Sequence, residues 1–212
     1  MIVAIDGPAG AGKSTVARLL AERLGFGYLD TGAMYRALTW LALREGLPLG
    51  DAEPLGELAR RSPVTFDDVG RVSIAGVDVT AAIRHSRIDR MVPVVARHHP
   101  VREVMRERQR ELAGRGNIVI EGRDIGTVVA PNAEVKIYLK ADQEIRTQRR
   151  QAERPDIGED ALATDLRSRD KSDKERMQPA PDAQQIDTSH LQVEDVVEQI
   201  ERLVRARLVP SP

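Results

Sequence analysis

A run of glycines closed by a lysine and a hydroxyl residue sets the chemistry open to this chain. Gly7-Pro8-Ala9-Gly10-Ala11-Gly12-Lys13-Ser14 follows directly on the apolar run Ile2-Val3-Ala4-Ile5 and fits the spacing G-x-x-x-x-G-K-[ST] at every fixed position. Glycines at those places let the main chain wrap a phosphate chain, so that successive N–H groups and the N-terminus of the helix behind them aim at negative charge. In such a loop Lys13 reaches the β- and γ-phosphates and the Ser14 hydroxyl sits on Mg²⁺. The residues from Thr15 to Leu24 carry apolar groups at helical spacing, so strand, loop and helix come in the order that phosphate binding needs. The segment is read as the binding loop for a nucleoside triphosphate.

Three other clusters carry charge in suggestive places. Asp30-Thr31-Gly32-Ala33-Met34-Tyr35-Arg36 follows a short apolar strand and opens a helix, with Thr31 expected as its N-cap. A helix N-terminus beside a hydroxyl and an arginine is an anion site, suited to a second phosphate group. Asn117-Ile118-Val119-Ile120-Glu121-Gly122-Arg123-Asp124 is an apolar strand that ends in a carboxylate, a cation and another carboxylate. Glu121 stands where a strand-end acid holds the hydration shell of Mg²⁺, and Arg123 and Asp124 extend over the same edge, either toward a ligand or as a structural ion pair. Finally, basic clusters at Gln148 to Arg154 and Arg169 to Arg176 flank a stretch interrupted by Pro155 and Gly158. The residues leave two readings open there: a helical hairpin that closes arginines over a phosphate chain, or an exposed hairpin with ordinary surface ion pairs.

These groups need a scaffold, and its elements are legible. Candidate core strands run Ile2 to Asp6, Gly27 to Asp30, Asn117 to Glu121, Glu134 to Leu139 and Gln184 to Asp187, separated by stretches of helical periodicity. Such alternation predicts a parallel sheet flanked by helices. Val193, Val196, Val197, Ile200, Leu203 and Val204 form a helical stripe assigned to packing alone. Between Val64 and Val79 β-branched residues recur around turn candidates at Asp68 to Arg71 and Ala75-Gly76, which predicts a small antiparallel hairpin or meander. A polar helix over Val101 to Ala113 follows, with Gly114 and Gly116 expected to end it as a C-cap.

The composition narrows the partners. Across 212 residues, 32 basic and 33 acidic side chains nearly cancel, so no global field argues for nucleic acid or an anionic membrane. No cysteine is present, which excludes disulfides and thiolate metal sites, and no apolar run approaches a membrane span or signal peptide. A soluble cytoplasmic protein is expected.

Taken together, these segments resemble the bacterial cytidylate kinases, P-loop enzymes that phosphorylate CMP and dCMP with ATP. The resemblance rests on Ile5 to Ser14, Leu29 to Arg36, Glu121-Gly122-Arg123-Asp124-Ile125-Gly126-Thr127-Val128-Val129, Val135 to Leu139, and Arg169-Asp170 followed by Asp173 and Arg176. It implies an α/β fold, a single P-loop kinase domain over 1–212 with a five-stranded parallel sheet. A small β-rich insertion at 63–100 would belong to the monophosphate-binding lobe and a helical lid would span 150–168. The catalytic cations would be Lys13, Arg123, Arg169 and Arg176. ATP would be held by Gly7, Pro8, Ala9, Gly10, Ala11, Gly12, Lys13, Ser14, Thr15 and Arg149. CMP would be held by Thr31, Tyr35, Arg36, Arg102, Arg123, Asp124, Arg169, Asp173 and Arg176. Mg²⁺ would be held by Ser14 and, through water, Glu121. The chain is expected to act as a monomer on these small molecules, with no nucleic acid or membrane partner. One position departs from the family pattern: Pro93 stands where relatives carry a serine near the cytosine, and it has no donor to offer. A P-loop kinase for UMP, AMP or a small metabolite is the alternative reading, and a non-catalytic nucleotide switch is a more distant one.

Overall fold

The computed structural model describes residues 1–67, 69–155, 157–174 and 176–208, and it divides into two compact units. The first comprises Met1–Leu29 and Arg115–Pro212, and the second Asp30–Gly114. The chain starts with β1 (Ile2–Asp6), α1 (Lys13–Leu24) and β2 (Gly27–Asp30). The second unit holds α2 (Thr31–Arg44), α3 (Ala52–Arg61), β3 (Thr65–Phe66), β4 (Val72–Ile74), β5 (Val77–Asp78), α4 (Ser86–Ala96) and α5 (His99–Ala113). The chain then completes the first unit with β6 (Ile118–Gly122), β7 (Val135–Lys140), α6 (Gln143–Glu153), α7 (Glu159–Asp173), β8 (Gln184–Asp187) and α8 (Val193–Leu208).

The five strands of the main sheet are parallel, in the order β2-β6-β1-β7-β8. The glycine loop leaves the central strand, β1, which has β6 on one side and β7 on the other. Chain crossovers diverge there, and that is where open α/β sheets bind ligands beyond the carboxyl ends of the strands. Val3 and Ile5 of β1, Val119 of β6, and Val135, Ile137 and Leu139 of β7 line one face. Against it pack Val16, Ala17, Leu20 and Ala21 of α1 and the expected stripe Val196, Val197, Ile200 and Val204 of α8. Helix α1 ends at Gly25, whose backbone N–H donates to Ala21 O and Glu22 O.

In the second unit β3, β4 and β5 form the expected antiparallel meander. Ala75 and Gly76 both take left-handed backbone, with φ of 49° and 74°, as a two-residue hairpin turn requires. In the expected turn at Asp68 to Arg71, Asp68 lies outside the described residues. Asp67 holds that turn, its Oδ1 accepting from the Val69 and Arg71 N–H groups. One expected cap is corrected. Helix α2 is capped by Asp30, whose Oδ1 accepts from Ala33 N–H at 2.9 Å, and Thr31 is already the first helical residue. Helix α5 begins at His99, two residues before the expected start, and ends with Gly114 as its C-cap, as expected, in right-handed geometry (φ −71°). Among the described residues no helix is long and apolar enough to cross a membrane.

Leu20 is fully buried between α1, the sheet and α8. Leu20→Ala should lower the unfolding free energy by about 2–5 kcal/mol, read from urea titration; a loss under about 1 kcal/mol would mean that this face is loosely packed.

Candidate functional site

The glycine loop bends as the sequence requires. Gly7 has φ 145°, and a Cβ there would fall 2.1 Å from Leu139 O, so no other residue fits. Gly10 has φ 79° and lies against Arg146, whose Cβ would be 2.9 Å from an added Cβ. Gly12 caps α1, and Val16 N–H donates to its carbonyl at 3.0 Å. The helix thereby presents Lys13, Ser14 and Thr15 in its first turn, with both hydroxyl residues exposed. Lys13 is buried, and its Nζ donates to Pro8 O at 2.7 Å.

A loop that turns N–H groups toward a phosphate chain points its carbonyls the other way, and they need donors. The structure supplies one to each of four loop carbonyls. Gly7 O accepts from Arg123 Nη1 at 3.1 Å, Pro8 O from Lys13 Nζ, Ala9 O from Arg146 Nη1 at 3.2 Å and Ala11 O from Thr188 Oγ1 at 3.1 Å. Arg149, at the next turn of α6, donates from Nη1 to Thr188 Oγ1 at 3.0 Å and from Nη2 to Thr188 O at 2.5 Å. Its guanidinium therefore stands near the loop, 3.9 Å from the position of a Cβ on Gly12.

Two strand-end acids lie beside the loop on opposite faces of the sheet. Glu121 pairs in register with Ile5, so it shares the face covered by α1, whereas Asp6 pairs with Gly122 and Tyr138 and points the other way. Glu121 is buried and accepts from the Tyr28 hydroxyl at 2.7 Å. Asp6 is also buried, with Oδ1 and Oδ2 accepting from the Ile125 and Gly126 N–H groups, each at 2.8 Å. These bonds fix the turn of wide helix at Ile125–Val129 that follows Arg123 and Asp124. Arg123 donates from Nε to Asp173 Oδ2 at 3.1 Å, and Arg176 Nη2 lies 3.4 Å from Asp173 Oδ1. Arg123, just after β6, is thus ion-paired with Asp173, the last residue of α7. Arg169 lies half-buried near the C-terminal end of α7.

The remaining candidates belong to the second unit. Thr31 is buried in the first turn of α2, and Arg36, one turn on, donates from Nη2 to Asp30 Oδ2 at 2.6 Å. Tyr35 is half-buried on the same helix, and Arg102 is half-buried in the first turn of α5. Pro93 lies inside α4. An open cleft of about 570 Å³ on this unit is lined by Trp40, Ala82, Ile88 and neighbouring basic residues, none of them a candidate from the sequence.

Sequence reasoning gave no role to Asp6, Tyr28, Arg146, Asp170 or Thr188. Asp6 had a signal, a carboxylate at the last strand position before the first glycine. Arg146 and Thr188 had none, because the loop carbonyls they serve, Ala9 O and Ala11 O, lie 137 and 177 residues away in sequence.

Burial pushes the Asp6 carboxyl above the usual carboxylate range, against the pull of the Gly126 and Ile125 N–H groups, and the Asp124 charge adds to the rise while Lys13 opposes it. The folded chain then holds this proton more tightly than the unfolded chain. The Asp6 contribution to stability is therefore greatest at low pH and declines as pH rises from the unfolded value of 3.8 through the raised folded value. The stability of wild type minus that of Asp6→Asn, from urea titrations at about pH 4 to 8, should shrink with rising pH; a difference that does not vary with pH would show that Asp6 ionises as readily folded as unfolded.

The cytidylate kinase family profile matches residues 3–206, almost the whole chain. The cytidylate kinase of Bacillus subtilis (strain 168) is 46% identical over 209 residues, covering 93% of each chain. That of Geobacillus kaustophilus (strain HTA426) is 47% identical over 217 residues, covering 97% of each. Among solved structures, a shikimate kinase from Acinetobacter baumannii in complex with shikimate has the same fold, with a TM-score of 0.51 at 18% identity, covering 99% of this chain and 95% of that one. A central strand that runs into a glycine loop backed by arginines, a strand-end glutamate on the face of the following helix and kinship over nearly the full length lead to one assignment: the chain belongs to the cytidylate kinase family.

Proposed function

We propose that the chain transfers the γ-phosphoryl group of ATP to CMP or dCMP, giving ADP and CDP or dCDP. The observation that carries the reading is the formed phosphate loop, Gly7 to Ser14, with its carbonyls held outward in a chain of this family. Phosphoryl transfer asks the protein mainly for positioning and for positive charge around the transferring group. Lys13 supplies that charge by leaving Pro8 O for the β- and γ-phosphates. Arg123, Arg169 and Arg176 add charge, with Arg123 exchanging Asp173 for phosphate oxygen. No general base is needed, because a nucleoside monophosphate is already anionic at neutral pH. Ser14 and, through water, Glu121 would hold Mg²⁺; a hydroxyl and a carboxylate on the α1 face are hard oxygen donors that suit it. When bound with ATP, the ion neutralises charge on the phosphate oxygens. Gly7 to Thr15 and Arg149 are assigned to ATP.

For the acceptor, the assignment is Thr31, Tyr35, Arg36 and Arg102, together with Arg123, Asp124, Arg169, Asp173 and Arg176. Cytosine presents an amine at N4 and acceptors at N3 and O2, whereas uracil reverses the pattern at positions 4 and 3. Asp124 is assigned to N4 and Arg102 to the acceptor edge. Residues 150–168, among which Asp156 lies outside the described residues, are assigned to a lid that excludes water on closing, and residues 63–100 to an insertion of the monophosphate lobe. The reading includes action in the cytoplasm by a single copy of the chain, without nucleic acid or membrane.

A coupled assay with CMP, dCMP, UMP and AMP at equal concentration tests the reading; turnover of UMP or AMP above CMP would replace it. Lys13→Ala should lower kcat by several tens of fold or more while CMP still binds, since the charge matters most in flight; near-normal turnover would remove Lys13 from its central role. Preference for CMP over UMP should be at least about tenfold in kcat/KM, because each mispaired buried group costs about 1–3 kcal/mol. Asp124→Asn should narrow that ratio chiefly through lost CMP activity, and an unchanged ratio would take Asp124 out of base recognition.

A further inference from the structure

Two guanidinium groups repeat one pattern. Arg123 joins Gly7 O of the loop to Asp173 of α7. Arg146 joins Ala9 O to Asp170 of the same helix, donating from Nη1 to Oδ1 at 3.0 Å and from Nη2 to Oδ2 at 2.7 Å. The two carboxylates are three residues apart, so they stand one above the other on α7. Each arginine therefore has one bond to a loop carbonyl and an ion pair to the helix that carries Arg169 and leads to Arg176.

The two joints differ in strength. The Arg146 side chain is 8% exposed, grips Asp170 through both oxygens and is fixed at a third point, Nε to Ala141 O at 3.2 Å. The Arg123 side chain is 29% exposed and meets Asp173 through a single oxygen, while the other oxygen faces Arg176. A bidentate pair to a buried guanidinium is costly to open, because breaking it strands a charge away from water, whereas a single half-exposed bond exchanges readily for another anion.

We propose that Arg146 and Asp170 are positioning residues for phosphoryl transfer. They form the fixed joint through which the nucleotide-filled loop sets the position of α7, and with it Arg169, Asp173 and Arg176, while the Arg123–Asp173 contact is the one given up to substrate. The inference rests on the reading of Gly7 to Ser14 as the triphosphate site. A phosphate chain in the loop immobilises the peptide units around it, the Ala9 carbonyl then holds the guanidinium, and the guanidinium holds the Asp170 carboxylate. Arg146 touches no reacting atom in this scheme.

Amide hydrogen exchange of the full chain, with and without ATP and Mg²⁺, tests the joint in wild type, Asp170→Asn and Arg146→Lys, beside steady-state kinetics with ATP and CMP. Asp170→Asn keeps the shape of the side chain but loses its charge and one acceptor. Arg146→Lys keeps a donor for Ala9 O but cannot pair with both oxygens. In wild type, ATP should slow exchange both in residues 9–15 and in α7 (Glu159–Asp173). In each variant the loop protection and the KM for ATP should stay within about threefold, while the α7 protection and kcat fall by about tenfold or more. The double variant should be no worse than either single one, since both break the same joint. Persistent α7 protection with kcat within about twofold of wild type would overturn the inference, as would a kcat loss that follows the loss of folded protein in urea. Loop protection in wild type without α7 protection would also overturn it and leave the kinase reading standing. If wild-type loop amides gained no protection from ATP, the triphosphate reading itself would fall, and the joint with it.

Discussion

Four main-chain carbonyls constrain the rest of the nucleotide-binding unit. A loop that gathers its N–H groups around phosphate leaves Gly7, Pro8, Ala9 and Ala11 with oxygens directed outward, and buried oxygens without donors would cost on the order of 1–3 kcal/mol each. Their donors come from α1, the turn after β6, α6 and the residue after β8. The loop is thus shaped from behind. Parallel pairing of β1 with both β6 and β7 brings those donors near, because all the strand ends arrive at one edge. The close approach of Leu139 O to Gly7 and of Arg146 to Gly10 leaves no room for a looser arrangement.

The same requirement explains the use of arginine. Of 32 basic residues only Lys13, Lys136, Lys140, Lys171 and Lys174 are lysine. Arg123, Arg146 and Arg149 each serve at least two acceptors from one planar group, which an ammonium group could do only with poorer geometry. On α8, by contrast, Arg202 with Glu198 and Arg205 with Glu201 are ordinary i,i+4 surface pairs, contributing a few tenths of a kcal/mol.

The pattern of the sequence located all five sheet strands to within a residue at each end; β1 and β6, flanked on both sides in the sheet, are short apolar runs bounded by turn residues. The glycine loop and the meander were equally legible, since left-handed turns and phosphate loops restrict residue type strongly. What stayed hidden was decided at longer range. Asp30 and Thr31 are both good capping residues, and one position of strand continuation decided between them. Gly114 ends α5 as its residue type suggests, but the backbone geometry, right-handed with its N–H satisfied by Arg110 O and Leu112 O, could not be read from residue type. Arg146 and Thr188 look like any polar residues on a helix and in a turn, and only the assembled sheet gives them carbonyls to serve.

The sequence separations of those donors bear on how the chain is made. Gly7 leaves the ribosome 116 residues before Arg123, Ala9 137 residues before Arg146, and Ala11 177 residues before Thr188. β1, the central strand, likewise waits for both of its neighbours, β6 and β7, which are synthesised after the whole second unit. Such non-local closure is slow compared with local helix formation. During translation the nascent chain therefore carries an apolar strand without its neighbours until β6 and β7 emerge, and an incompletely shaped glycine loop until Arg146 and Thr188 follow. The most recognisable motif in the sequence is among the last parts of the molecule to acquire its final form.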